Sequence, residues 1–113
     1  MLGFWVQGVS IATTTSDTPN SIQSISLVPG NWIIFGNATI ALGATYAKLS
    51  ISTTNNSIDT FYQVAMQDTT GGAPVINISR GVPITTTTTF YLIAQASTTV
   101  NVASVIFYAM RVG

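Results

Sequence analysis

The 113 residues suffice for one domain with a core of its own and are too few for two. Some 47% are apolar and six are charged, three of each sign, so the basic footprint of a nucleic-acid-binding protein is missing. Cysteine and histidine are both absent, which excludes a disulfide scaffold and any thiolate metal site.

In chain order, the apolar start MLGFWVQGVSIA carries no basic residue and no charge before Asp17, unlike a secretory signal. Its alternation predicts a strand from Phe4 to Thr13, and Leu2, Phe4 and Trp5 could instead anchor the chain on another protein. After the turn residues SDTPN a second strand is expected over Ser21 to Leu27. VPGN then leads into a third over Trp32 to Ile40. Its apolar run WIIFG is far below the roughly 20 residues that span a bilayer, so no membrane insertion is expected. LGA precedes a strand over Tyr46 to Thr53, TNNSID one over Thr60 to Gln67, and DTTGGA one over Pro74 to Arg80.

GVP then introduces five consecutive threonines, Thr85 to Thr89, ahead of FYLIAQA. β-Branched threonine suits a pleated surface, and no Pro, Ser or Gly loosens the run, so it reads as strand with a frayed beginning rather than as a mucin-like linker. That strand extends from Thr86 to Ala96, and the last follows STTVN over Val102 to Val112. The sum is all-β: an antiparallel β-sandwich of about eight strands, of the jelly-roll kind.

The last two strands are apolar on both faces. Val102, Ile106, Tyr108, Met110 and Val112 alternate with Ala103, Val105, Phe107, Ala109 and Arg111. Phe90, Leu92, Ala94 and Ala96 alternate with Tyr91, Ile93 and Gln95. One face of each meets the core, and the other is expected to meet a second subunit unless a loop of the same chain covers it. The expected oligomer interface comprises Tyr91, Ile93, Val105, Phe107, Ala109 and Arg111. Arg111 would either pair with a carboxylate of a neighbouring copy or lay its stem on apolar surface with its head in water.

The chemistry of a catalyst is missing. Without His, Cys or Glu, acid–base work would fall to Asp17, Asp59 and Asp68, which the strand pattern places in turns. The many hydroxyls lack an activating base, and the aspartates lack the spacing of a calcium loop. Gly71 and Gly72 are followed by neither lysine nor a helix, so they read as a turn and not as a phosphate cradle. The sequons at Asn37, Asn55 and Asn77 match chance in so Ser/Thr-rich a chain. No enzyme activity, cofactor or metal is expected.

SISLVPGNWIIFGNATI, Ser24 to Ile40, resembles the Leu-x-x-Gly-x-Trp strand start of C1q/TNF-like jelly rolls in tailed-bacteriophage virion proteins. TTTFYLIAQAS and the closing IFYAMRVG are similar to the last strands of the same domains. The resemblance spans about Ser21 to Gly113 and implies a homotrimeric virion protein. It would be a capsid decoration (cement) protein bound to the major capsid protein or, alternatively, a tail-fibre tip bound to a host surface receptor. Decoration is the expectation, because no shaft, collagen repeat or heptad seam occurs in these residues. A third possibility is a lectin-like domain holding a glycan, although TNNSID and DTTGGA offer no aromatic platform. Contacts to the capsid or receptor are expected from Leu2, Phe4, Trp5, Asn55, Asn56, Thr69 and Thr70.

Overall fold

The structure, a computed structural model, describes residues 4–14, 17–41, 43–66 and 71–113; for residues 4–13, 65 and 66 the description covers the backbone. Eight strands follow in order: β1 Phe4–Thr13, β2 Asn20–Leu27, β3 Gly30–Ile40, β4 Ala47–Ser52, β5 Gln63–Met66, β6 Val75–Ile84, β7 Thr88–Ala96 and β8 Asn101–Arg111. No helix occurs among the described residues. β1 pairs with β8, β2 with β7, β3 with β6 and β4 with β5, all antiparallel, so the chain runs as one long hairpin with its tip at the β4–β5 connection. Pairing of β3 with β8 and of β4 with β7 rolls that hairpin into two four-stranded sheets, β1-β8-β3-β6 and β2-β7-β4-β5. This is the jelly-roll order expected from the strand count and turn spacing.

The core lies between the sheets and follows from alternation. Trp32, Ile34, Ala38 and Ile40 of β3, Val102, Val105, Phe107 and Ala109 of β8, and Ile76, Ile78 and Ile84 of β6 point in from one side. They meet Ile25 and Leu27 of β2, Phe90, Leu92, Ala94 and Ala96 of β7, and Leu49 and Ile51 of β4. Gly36 sits in the same inward row of β3, where a Cβ would come within 2.7 Å of a Leu92 methyl from the opposite sheet. The sheets close tightly there because the position has no side chain.

Three expectations change. β6 runs on through Gly81, Val82 and Pro83, read above as a turn. It is an edge strand paired only with β3, and an edge tolerates the missing N–H of proline. Thr85 to Thr87 form the β6–β7 turn, which the Thr88 hydroxyl closes by donating to the Thr86 carbonyl at 2.8 Å, so only Thr88 and Thr89 of the run are strand. β5 is shorter than expected because Asp59 draws the preceding residues into a turn. Its carbonyl accepts from Tyr62 N at 3.0 Å and its carboxylate from Phe61 N at 3.1 Å.

The expected interface is corrected as well. Val105, Phe107 and Ala109 are fully buried in the core of the single chain, and the outward row of β8 is Ile106, Tyr108 and Met110. Alternation tells which residues share a face. Where both faces are apolar, it does not tell which face is inside.

Candidate interaction surfaces

The outer face of the β1-β8-β3-β6 sheet carries an apolar strip on its two central strands. Register places Ile33 beside Met110, Phe35 beside Tyr108 and Asn37 beside Ile106. The Phe35 and Tyr108 rings stack with centroids 4.9 Å apart and planes 18° from parallel. All four of Ile33, Phe35, Ile106 and Tyr108 are half-buried, Met110 is exposed, and the flanking β6 positions Asn77, Ser79 and Gly81 are small or neutral. No charged residue of β3, β6 or β8 stands in this outward row. A solvated sheet face would alternate to polar here, and on β3 and β8 this row stays largely apolar.

On the outer face of the other sheet the chain covers the row at Ile93. Ile93, expected at a subunit interface, is fully buried yet lies outside the main core. It stands in a row with Ser21 of β2 and Ser50 of β4. The β4–β5 connection crosses that row and is fastened at both ends. At β2, Ser21 N donates to Asn56 Oδ1 at 2.8 Å, Asn56 N to Ser21 Oγ at 2.8 Å, and Ser21 Oγ to Asn55 Oδ1 at 2.6 Å. At β4, Asp59 N donates to Ser50 Oγ at 2.9 Å. Ser57 and Ile58 therefore pass over Ile93. Asn55 and Asn56, expected as partner contacts, are exposed but fasten this strap, with Asn56 in the left-handed conformation that asparagine tolerates. Tyr91, two positions from Ile93, is half-buried beside Ser52 and Ser24.

Asp59 does more than turn the chain. Arg80 occupies the inward row of β6, opposite Ile34, at a core position. Its Nη1 donates to Asp59 Oδ2 at 3.1 Å and to the Ile51 carbonyl at 2.9 Å. The guanidinium lies 4.0 Å from the Tyr62 ring centroid and 5.5 Å from that of Phe90. β5 stops before Ile51, and the arginine satisfies the edge carbonyl that a longer β5 would have reached. The sequence pattern misses this cluster because Asp59 and Arg80 are far apart in the chain and each falls where a solvated residue is expected. A charge at an inward position of an alternating strand is the one signal present.

Asp17 is likewise tied in: Tyr46 Oη donates to its carboxylate, and its carbonyl accepts from Gln95 Nε2 at 3.2 Å. Arg111 ends the inward row of β8, half-buried, beside Trp32 and over Gly30, where a Cβ would come within 2.7 Å of its Nε. It has no ion-pair partner among the described residues. The Leu-x-x-Gly-x-Trp segment is the corner where the chain leaves one sheet at Leu27 and joins the other at Gly30, which has φ of 152°. Trp32 Nε1 donates back to the Val28 carbonyl at 2.9 Å and braces that corner. Of the other expected contacts, Phe4 and Trp5 pair through their backbones with Met110 and Ala109, and their side chains lie outside the described residues, as do Leu2, Thr69, Thr70 and Asp68.

Among the described residues no three metal-ligating side chains come together. No protein-family model matches the chain, and no curated protein matches its sequence.

Proposed function

We propose that the chain is a structural protein of a tailed-bacteriophage virion, a homotrimer that decorates the capsid and strengthens the shell through contacts with the major capsid protein. It has no catalytic role, and it uses no cofactor or nucleic acid. The observation that carries this reading is the apolar strip of Ile33, Phe35, Ile106, Tyr108 and Met110 on the outside of one sheet. Copies meeting on that face would remove the strip from water. The Leu27–Trp32 segment and the IFYAMRVG ending resemble segments of virion jelly rolls that trimerise. A nearly uncharged surface suits a protein held in many copies on a lattice, where weak contacts multiply through avidity.

The test is addition of the purified chain to empty heads of the source phage lacking it. Saturable binding in multiples of three, with greater resistance of the heads to heat or low salt, is expected. Binding to host cells and competition with adsorption, without binding to heads, would replace this reading with the fibre-tip one.

A further inference from the structure

The β4–β5 connection leaves β4 at Ser52, reaches β2 at Asn55 and Asn56, and returns to β4 at Asp59, so it crosses β7 out and back. Its two stems and its tip are held unequally. At the first stem Thr54 N donates to Ser52 Oγ at 3.0 Å. At the second, Asp59 N donates to Ser50 Oγ at 2.9 Å and Arg80 Nη1 donates to Asp59 Oδ2 at 3.1 Å, and these stem bonds are all partly buried. At the tip the three bonds among Ser21, Asn55 and Asn56 are exposed and join neutral groups. Ile93, fully buried but outside the main core, lies beneath, so its cover depends on the strap.

We propose that the strap is a built-in flap, which releases at β2 and pivots on its β4 stems, uncovering Ile93 while both sheets stay paired. Exposed neutral hydrogen bonds compete directly with water and contribute little, whereas the partly buried, charge-assisted bond at Asp59 contributes more. Every bond at the tip involves a side chain, so releasing it breaks no pairing between strands. The closed tip also holds Asn56 in the left-handed region at φ of 57°, a conformation that asparagine adopts at some cost and leaves on opening. Closed, the flap hides an apolar residue. Open, it presents Ile93 in a row with Ser21 and Ser50, two positions from Tyr91. The flap is a property of the single chain and does not rest on the decoration reading.

The chain lacks cysteine, so Ile93→Cys supplies a single thiol beneath the strap. Its labelling by iodoacetamide is followed against denaturant, beside far-ultraviolet unfolding of the same protein. Labelling should run at least about tenfold faster than global unfolding allows, with a shallow denaturant dependence, because opening the flap exposes little surface. Adding Asn56→Gly, which keeps the left-handed backbone and removes the Oδ1 acceptor, should raise the rate about two- to tenfold. The chain without substitutions gives a second measurement, because the Asn56 and Asp59 amides both donate to a serine hydroxyl. In hydrogen exchange Asn56 should be at least about tenfold less protected than Asp59. Labelling that tracks global unfolding, or equal protection of the two amides, would overturn the flap. Labelling at the rate of an unfolded thiol would overturn it by showing that the strap does not close. A rate unmoved by Asn56→Gly but raised by Asp59→Asn would place the release at β4 and overturn the pivot.

Discussion

Arg80 is the residue at which the fold departs furthest from a simple apolar sandwich. Its side chain is 13% exposed and that of its partner Asp59 is 25% exposed. Asp59→Asn removes the counter-charge and leaves the guanidinium with neutral partners, the Ile51 carbonyl and the Tyr62 and Phe90 rings, so it should lower stability by about 1–3 kcal/mol, below the loss for a fully buried pair. Arg80→Met removes the charge but leaves the Ile51 carbonyl without this donor and Asp59 Oδ2 without its counter-charge, at a similar cost. The double variant should be less destabilised than the two singles summed, with a coupling of about 1 kcal/mol or more by denaturant unfolding. Strict additivity would show that the pair is a passive surface contact. The strap over Ile93 gives a second readout, because release of Asp59 should raise hydrogen exchange at Ser57 and Ile58 before the rest of the sheet.

At the scale of elements, β3 decides how closely the sheets approach. Gly36→Ala would press its methyl into Leu92, a fully buried side chain, and should cost roughly 1–3 kcal/mol as an overpacked core. Leu92→Val in the same chain should recover part of that cost in thermal unfolding. An unchanged melting temperature for Gly36→Ala alone would mean that the core is looser there than described. The strands themselves were legible from period-two patterning and turn residues, β1 to the residue. Three features were not. The inward face of β8 was ambiguous because Ile106, Tyr108 and Met110 are as apolar as Val105, Phe107 and Ala109. The cover over Ile93 depends on a loop whose polar residues read as solvated, and Arg80 finds Asp59 only once the long hairpin has rolled up. Periodicity reports local alternation. These three depend on which strands become neighbours.

For the whole molecule, the correction to β8 moves the expected contact between copies to the opposite face of the same strand. Phe107→Asp would place an unpaired charge in the core and should unfold the chain, so it cannot report on assembly. Phe35→Ser and Tyr108→Ser act outside the core. Each removes one ring of a stacked pair worth about 0.5–1.5 kcal/mol beyond its buried area, repeated at every copy. Both should leave the strands and the Arg80–Asp59 cluster intact.

Sedimentation equilibrium of the wild-type chain beside Phe35→Ser and Tyr108→Ser is the most direct measurement. The wild type should sediment at about three times the 11.9 kDa subunit mass, and the two variants should shift toward a folded monomer with an unchanged far-ultraviolet spectrum. A wild-type monomer, or a trimer indifferent to both substitutions, would contradict assembly through the β3–β8 face.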